Sequence, residues 1–477
     1  MPHTIVALAT PTGRSGIGVI RLSGNESISI CQVLTGDPDF SPNARTAYLK
    51  QLYDPATGEV IDEAIVTYFK APHSFTGQDV VEISCHGSPV LLRQVIDICL
   101  KQDARMAEAG EFTLRALSNG RMNLAEAEAI RDLIDAQTNA SARQAIRQLR
   151  GEFSIQLQPI KDELLDVIVL LESALEFVED DLPETQVESV RTGLGKLNAK
   201  ITKLASTFTA GRLIREGLKV ALVGRPNVGK SSLFNALLGN ERAIVTEIAG
   251  TTRDQIHERF VVDNIPISLI DTAGLRQTTD LVESIGVKRS RAVMADADIV
   301  VVMIDASEPL TADDLEIIDS ADGIRHIIVI NKIDKARLID IENFKFQISD
   351  FKSQILDHKP QISDFKSQIS DFKSQIVEIS ARTGHGLDEL QKAIVQPFAV
   401  NDASGPGFLV TDARHHDLLL RAANEIDDSL RQWESKMSEE IVLIGLHNAL
   451  RYLGQITGET TTEDMLTRIF ETFCIGK

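Results

Sequence analysis

The segment 224–231 has the sequence GRPNVGKS, in which a glycine, four further residues and then Gly-Lys-Ser follow one another. A strand-like apolar run, 219–223, precedes it, and a helix-like run, 232–238, follows it. This is the Walker A pattern in the strand–loop–helix context that it needs. Its glycines let backbone N–H groups close on phosphate oxygens, and the start of the helix adds the positive end of its dipole. The pattern therefore predicts an α/β sheet that binds the phosphates of a nucleotide.

The side chains of this loop suit a nucleoside triphosphate. Lys230 can reach the β- and γ-phosphates, and the Ser231 hydroxyl can ligate Mg²⁺. The predicted phosphate-binding residues are Asn227, Val228, Gly229, Lys230, Ser231 and Ser232.

A second motif, Asn331-Lys332-Ile333-Asp334, follows a strand-like run at 326–330 and indicates which base is bound. The carboxylate of Asp334 can accept two hydrogen bonds from the N1–H and 2-amino edge of guanine, whereas adenine has no such pair of donors. The segment Ser380-Ala381-Arg382 follows a last strand-like run, 376–379, and is expected to lie behind the base. The predicted base-binding residues are Asn331, Lys332, Asp334, Ser380, Ala381 and Arg382.

Two more motifs suit the γ-phosphate and its metal ion. Asp271-Thr272-Ala273-Gly274 ends a strand-like run, 267–270; its Asp271 suits Mg²⁺ and its Gly274 N–H suits the γ-phosphate. The segment 250–254, GTTRD, supplies a switch threonine. The predicted nucleotide contacts therefore also include Thr246, Thr251, Thr252, Asp271, Thr272, Ala273 and Gly274. The five motifs in this order resemble a GTPase of the translation-factor class.

One expected group is missing from the motifs. Ras-type enzymes place a glutamine after the Asp-x-x-Gly motif to orient the attacking water, and here that position is Leu275. Glu283 is a candidate replacement, with a solvated surface charge as the alternative. Asn227 could help to hold a monovalent cation beside the phosphates, under the backbone carbonyls of the loop 246–251, and such a cation would stabilise developing negative charge.

The composition suits an intracellular enzyme of several domains. A chain of 477 residues should contain about two to four domains. It has no apolar run of membrane-span length and no N-terminal signal, and its four cysteines are scattered, so we expect a cytoplasmic protein without a zinc site. The net charge of −20 argues against a large nucleic-acid cradle but allows a local basic patch.

The hydrophobic pattern divides the chain into segments. Residues 1–121 read as α/β, 122–216 as the first part of a helical domain, 217–400 as an inserted nucleotide-binding domain and 401–477 as the second helical part. Within the inserted domain, 345–376 carries a repeat with a seven-residue period that Pro360 interrupts. We interpret this insert as a surface connection with broken amphipathic helix; a partner-binding coiled coil is the alternative.

The ends of the chain resemble one family. The second switch segment and several other runs are similar to the MnmE (TrmE) family of tRNA uridine-modification GTPases over nearly the whole chain except the heptad insert. The runs that carry this resemblance are 4–11, 16–24, 82–87, 110–116, 271–290 and the tail 473–477.

The resemblance implies a multidomain α/β protein with a specific reaction. It implies a tetrahydrofolate-binding N-terminal domain that also dimerises, and a central helical domain with an inserted Ras-like P-loop GTPase domain that pairs across the homodimer in a potassium-dependent way. With a flavoprotein partner, MnmG (GidA), such proteins add an aminomethyl or carboxymethylaminomethyl group to C5 of wobble uridine in certain tRNAs. The one-carbon donor is 5-formyl- or methylene-tetrahydrofolate.

The resemblance also assigns roles to individual residues. It implies that Glu283 is catalytic. The other implied ligand contacts are Arg21, Glu82, Arg121 and Lys477 for folate, Ser231 and Thr252 for Mg²⁺, and Asn227, Thr246, Ile248 and Thr251 for K⁺. A pterin presents a guanine-like donor edge that Glu82 could bind, while the folate carboxylates suit the basic residues. Arg121 stands where a lysine is common, which changes the donor geometry, and Ala109 replaces a proline.

Two other functions remain open at this point. One is an RNA-binding ribosome-assembly GTPase of the Era or Der type, although the helical tail contains no GXXG loop with basic flanks. The other is a nucleotide-gated structural dimer, which leaves the terminal motifs unexplained. Folate binding would separate the first hypothesis from these two.

Overall fold

A computed structural model describes residues 3–176, 184–240, 258–263, 265–271, 294, 297–321, 323–339, 375–398, 407–459, 466 and 469–476. They belong to two compact units. The first unit comprises Met1–Asp135, Ala145–Ala205 and Asp417–Lys477, and the second comprises Ala136–Gln144 and Ser206–His416. The sequence-based division at 216/217 and 400/401 differs from these limits, and the heptad insert lies outside the described residues except for its last two positions.

The first unit begins with a mixed six-stranded sheet. Its strands lie in the order β3-β4-β5-β2-β1-β6, antiparallel except for the parallel pair β1 and β6. Their bounds are β1 Thr4–Leu8, β2 Ser15–Ser23, β3 Ala47–Tyr53, β4 Val60–Phe69, β5 Val80–Gly87 and β6 Ala104–Met106. Helices α1 (Ser27–Thr35) and α2 (Pro89–Lys101) pack on one face, where alternate strand residues such as Ile20, Ile83 and Val66 form a buried core.

Helices form the rest of the first unit. Asn123 caps α4 in a reciprocal capping box with Glu126, which explains why the helical pattern begins there. The helices are α3 Glu111–Ser118, α4 Leu124–Ile134, α5 Asn139–Leu149, α6 Glu152–Glu176, α7 Glu184–Ser206, α12 Ala413–Glu434 and α13 Glu439–Thr457. Of these, α5, α7 and α12 cross the limits of the unit. α6 and α13 run antiparallel, with ion pairs at Lys161–Glu459 and His447–Glu172.

The second unit is built on a six-stranded sheet with helices on both faces. The strands lie in the order β12-β11-β10-β7-β9-β8, all parallel except the edge strand β8. The strands are β7 Leu218–Val223, β8 Glu258–Val262, β9 Ile265–Asp271, β10 Ile299–Asp305, β11 His326–Asn331 and β12 Gln375–Glu378. The helices are α8 Phe208–Glu216, α9 Lys230–Asn240, α10 Ala312–Ser320 and α11 Leu387–Val395.

Both faces of this sheet are buried, as near-continuous apolar strands require. Val220 and Leu222 of β7 pack beneath α9 and α11, whereas Ala221 and Val223 face the side that α10 covers. The predicted α/β fold class is confirmed. The hydrophobic pattern does not predict β3, β6, α1 or α2, which are short or lie between stronger signals.

The register brings the predicted motifs to one edge of the sheet. Leu222 pairs with Asp271, and Asp305 pairs with Asn331. The carboxyl ends of β7, β9, β10 and β11 therefore meet where the polar motifs follow their strands. In open α/β sheets, ligands bind at this edge.

The chain enters and leaves the second unit at one tight junction. The Arg215 guanidinium pairs with Asp412 at 2.7 Å, the Val410 N–H donates to the Thr207 hydroxyl at 3.0 Å, and the Phe208 and His416 rings stack at 4.2 Å. Burial raises the pKa of Asp412, but His415 and Arg215 outweigh it and hold that pKa far below its usual value. These contacts are why α8 and residues 407–416 pack with the second unit.

Among the residues that the structure describes, none of the helices combines the length and apolarity that a bilayer crossing demands.

A buried ion pair anchors α3 to the first sheet. Arg115 is almost completely buried and donates to the Glu111 carboxylate at 2.8 Å, to the His3 carbonyl at 2.9 Å and to Gln78 Oε1 at 2.8 Å. Glu111 also accepts from Arg105 and from the Glu108 N–H. Burial alone would raise the pKa of Glu111, but these hydrogen bonds and Arg115 hold it below its usual value.

Glu111→Gln should destabilise the first unit because it leaves the buried Arg115 charge uncompensated. We expect a loss of about 3–5 kcal/mol in the free energy of unfolding at pH 7. Since the folded pKa of Glu111 is depressed, its contribution is present above the ordinary glutamate pKa and disappears as the pH falls through the folded value. The measurement is hydrogen exchange of the α3 amides in increasing urea, at pH 7 and at acid pH.

Lys200→Gln is the matched control, because the Lys200–Glu163 pair is about half exposed. Its effect should not exceed about 1 kcal/mol. If both variants lose equally little stability, the buried pair has no anchoring role.

Candidate functional sites

The loop after β7 has the backbone that phosphate binding requires. Gly224 has φ +153°, and a Cβ there would lie 2.6 Å from the Met303 carbonyl of β10. Gly229 has φ +104° and faces the Asn331 amide so closely that a side chain would not fit. Between them Asn227 has φ +65°. These left-handed positions turn successive N–H groups inward toward the start of α9.

A single buried carboxamide connects three loops of this site. Asn331 is 2% exposed; its Nδ2 donates to the Val228 carbonyl at 2.8 Å, and its Oδ1 accepts from the Ala381 N–H at 3.0 Å. The loops that follow β7, β11 and β12 are therefore held together through one side chain.

Lys332 adds a second link beneath the phosphate loop. It has φ +65°, and its Nζ donates to the Asn227 carbonyl at 2.7 Å and to the Asp305 carboxylate. Asp305 is 2% exposed. Burial raises the pKa of Asp305, but hydrogen bonds from Lys332 and Ser307 outweigh this and keep it below its usual value. The sequence motifs do not predict a role for Asp305; its place at the end of the apolar run 299–304 is the signal that points to it.

Asp334 is held ready as an acceptor. The Ser380 hydroxyl donates to Asp334 Oδ1 at 2.7 Å and in turn accepts from the Thr383 N–H at 3.2 Å. The hydrogen bond from Ser380, with weaker help from the Arg382 and Lys335 charges, lowers the pKa of Asp334. The lowered pKa keeps this exposed carboxylate in the acceptor form that a donor pair such as the guanine edge requires.

The phosphate-facing side chains lie at the N-terminus of α9. Lys230 Nζ donates to the Gly224 and Arg225 carbonyls, each at 2.7 Å, so it spans the loop that it would leave to reach a phosphate. Ser231 and Ser232 are exposed beside it, whereas Val228 is buried in the core and contributes its backbone. The polar ends of this cluster can bind an anion with a metal ion at its edge.

Several predicted site residues fall outside the part that the structure describes. They are Thr246, Ile248, Thr251, Thr252, Thr272, Ala273, Gly274, Glu283 and Lys477. For Asp271 only the strand position is described. Their roles stay predictions.

A second polar cluster lies on the first sheet. Arg21 of β2 and Glu82 of β5 are paired in register, and Arg21 Nε and Nη2 both donate to Glu82 Oε1, at 2.9 and 2.7 Å. The Arg21 guanidinium lies 5.6 Å from the Phe75 ring and 5.8 Å from the Phe112 ring. The sequence motifs assign no role to these two phenylalanines, although each precedes a threonine and Phe112 lies within the run 110–116.

Arg121 and the C-terminal tail approach the same part of the first unit. Arg121 Nε donates to the Ser74 carbonyl at 3.1 Å, next to Phe75. The tail bridges Ala109 through Ile475, and Gly476 packs directly on the Leu8 carbonyl at the end of β1. Three of the four predicted folate-binding residues are therefore described, and two of them are in direct contact.

Two protein-family models match the chain. The one described as the GTP-binding protein TrmE N-terminus matches residues 4–121, and the one described as the MnmE helical domain matches residues 124–474.

Two relatives are similar to the chain over its full length, and one solved structure is similar to part of it. The tRNA modification GTPase MnmE of Aquifex aeolicus is 41% identical over 479 residues, covering 100% of both chains. That of Koribacter versatilis is 41% identical over 480 residues, again covering 100% of both. Among solved structures, the G domain of the T. maritima FeoB iron transporter is 29% identical, with a TM-score of 0.25, and covers 38% of this chain and 99% of that one.

Asp334→Asn should exchange guanosine for xanthosine nucleotides. The amide offers a donor where xanthine carries a carbonyl, and it loses the double acceptor that guanine needs. We expect about 10- to 100-fold weaker binding of GDP and a matching gain for xanthosine diphosphate. Competition binding with both nucleotides measures this.

Asp388→Asn, on the exposed first turn of α11, is the control and should leave both affinities unchanged. An Asp334→Asn chain that still binds GDP as the wild type does, and ignores the xanthosine nucleotide, would show that this carboxylate does not read the base.

Proposed function

The chain belongs to the MnmE family of tRNA modification GTPases, and from that premise we propose that it hydrolyses GTP to drive modification of wobble uridine in tRNA. With a flavoprotein partner of the MnmG (GidA) type, it would add an aminomethyl or carboxymethylaminomethyl group to C5 of the base. Tetrahydrofolate would carry the one-carbon unit. The contact between Arg21 and Glu82, on an aromatic-lined sheet of a chain that matches these relatives from end to end, is the observation that carries the folate part.

The nucleotide-binding part of the proposed function is supported by residues of the second unit. Asn331 and Lys332 hold the phosphate loop against the base-binding loop, so a guanine nucleotide would contact two elements that are already joined. Lys230 would exchange its carbonyl contacts for phosphate oxygens, and the N–H groups of the loop would bind the remaining ones. Ser231 and Thr252 would hold Mg²⁺, which would neutralise charge on the phosphates.

The water-positioning step needs a group other than Leu275. We assign it to Glu283, and we assign a K⁺ ion to Asn227, Thr246, Ile248 and Thr251, where it would supply positive charge beside the phosphates. Support comes from Asn227, which is exposed in a left-handed conformation at the turn of the phosphate loop. Its amide is thus free to point toward a ligand.

The folate-binding part of the proposed function is supported by residues of the first unit. Both donor nitrogens of Arg21 bind the same oxygen of Glu82, so the second carboxylate oxygen is not used by this pair. That oxygen suits the donor edge of a pterin, while Arg121 and Lys477 suit the carboxylates of the folate tail. Phe75 and Phe112 provide flat apolar surface beside this pair, as a ring system requires.

The homodimer in this proposal has a structural candidate for its interface. Leu49 of β3 pairs with Ile65 of β4, and Ile65 pairs with Ser84 of β5, so these residues share one face of the first sheet. Leu49 is 62% and Ile65 40% exposed, on the face opposite the α1 and α2 core. Exposed apolar residues in one row favour a protein partner. A monomeric mass in light scattering would contradict this part.

GTP hydrolysis should require potassium and Glu283. We expect the rate in potassium buffer to exceed that in sodium buffer by on the order of 10²-fold or more. Glu283→Ala should keep GTP affinity, because no phosphate or base contact is removed, and should lose roughly 10²- to 10⁴-fold in turnover. Phosphate release at saturating GTP measures both.

Glu389→Ala, at the exposed start of α11, serves as the control and should hydrolyse GTP normally. Near-normal turnover of Glu283→Ala in saturating potassium would remove Glu283 from the mechanism. Loss of GTP binding would instead point to a structural role.

Glu82→Gln should impair folate binding without affecting GTP hydrolysis. It turns one acceptor oxygen into a donor, so tetrahydrofolate affinity should fall by about 10- to 100-fold while GTP hydrolysis is unchanged. Equilibrium dialysis measures the affinity. In cells whose own protein is replaced by the variant, the tRNA should lack the C5-modified wobble uridine. Nucleoside analysis of that tRNA measures this.

Glu63→Gln changes an exposed glutamate on the adjacent strand β4 and should behave as the wild type in all three assays. If tRNA from cells lacking the protein still contains the modified nucleoside, the proposed reaction is wrong. If the modification depends on the protein but Glu82→Gln behaves as the wild type, the folate assignment is wrong.

A further inference from the structure

Two residues of the phosphate loop, Arg225 and Pro226, have no role in the proposed function; we call this part the outer limb of the loop. Gly224 is pinned against β10, Asn227 against Lys332 and Val228 against Asn331. Between Gly224 and Asn227 lie Arg225 and Pro226. The Arg225 carbonyl is one of the two oxygens that bind Lys230, so the position of this residue bears on the phosphate-binding lysine.

The Arg225 side chain turns away from the loop and pairs with a buried carboxylate. Its Nε donates to Asp314 Oδ1 at 2.7 Å, and Asp314 is 1% exposed. A second contact, to Glu308 Oε2, is longer, at 3.4 Å, and Glu308 is well exposed. The strong partner of Arg225 is therefore Asp314.

Asp314 is itself held in one orientation. It is the third residue of α10, and its Oδ2 accepts from the Thr311 N–H at 3.0 Å and from the Thr311 hydroxyl at 2.8 Å. The neighbouring Leu315 and Ile318 pack in the core beneath the sheet. One carboxylate oxygen thus caps the helix and the other holds Arg225, so the loop is connected to a rigid element.

We propose that Arg225 is a positioning residue, which fixes the outer limb of the phosphate loop to α10 through Asp314 and so keeps Lys230 aligned for the phosphates. The inference rests on the proposed nucleotide site. It predicts that nucleotide affinity depends on the pair although neither Asp314 nor the Arg225 guanidinium touches the nucleotide. The guanidinium fork matters, because a lysine supplies the charge without the fixed Nε geometry.

A double-mutant cycle on the full-length chain tests the proposal. Arg225→Ala and Asp314→Asn should each weaken GDP and GTP binding by about 10- to 100-fold, and the double variant should be little worse than either single one. Arg225→Lys should recover part of the affinity. Because base contacts are untouched, the preference for guanosine over xanthosine nucleotides should not change. Affinity is measured with a fluorescent GDP analogue, well below the melting temperature of every variant.

Glu308→Gln is the matched control and should bind as the wild type does. A purely structural ion pair would lower the melting temperature of the variants but leave the affinity of the folded chain intact, and that result would overturn the proposal. Additive losses in the cycle would overturn it as well. If Arg225→Ala does not fold, Arg225→Lys and Asp314→Asn decide by the same criterion. A wild-type chain that binds no guanine nucleotide would instead refute the proposed function.

Discussion

The two hydrogen bonds of the Asn331 carboxamide hold three loops of the candidate nucleotide site together. This carboxamide is buried, and its donor and acceptor are both used, one on the loop after β7 and the other on the loop after β12. Replacing it would leave the buried Val228 carbonyl without this partner, which costs about 1–3 kcal/mol, and would also release the half-buried Ala381 N–H. The loops after β7 and β12 are consequently joined through one side chain, and Lys332 adds a second connection, from the Asn227 carbonyl to Asp305 at the end of β10.

The first unit uses a comparable arrangement in a different place. Arg115 joins α3 to the start of β1 and to Gln78, beside the loop that carries Phe75. Phe112, on the first turn of the same helix, packs in a small core with Ile5 and Phe75. The Arg21–Glu82 pair therefore lies on a surface whose aromatic parts are positioned by a buried charge. In both units, polar groups without solvent access set the geometry of the exposed polar groups that form the candidate sites.

The sequence predicts the elements whose residues carry their own local signal. The phosphate loop, the strands before the polar motifs and the capped start of α4 are of this kind, because spacing and residue type act within a few positions. Asp305, Asp314 and Phe75 were not found, since their importance arises from partners far away in the chain that only the strand register and helix packing bring near. The compact second unit also takes in residues 407–416, beyond the predicted boundary at 400, because Arg215 and Asp412 form their pair across the whole inserted segment. Glu283 and the threonines of the switch loops lie outside the described residues, so the sequence remains their support.

The junction between Thr207 and Val410 has a consequence for how the chain folds. These two residues are 203 positions apart and joined by a hydrogen bond. Lys161 on α6 and Glu459 on α13 are 298 positions apart, and a flexible loop of that length opposes their meeting through its closure entropy. Once the second unit has folded, its two ends are already adjacent, and the 298-position loop is shortened by the 203 positions between Thr207 and Val410. Folding of the inserted unit thus lowers the loop-closure entropy that opposes the pairing of α6 with α13.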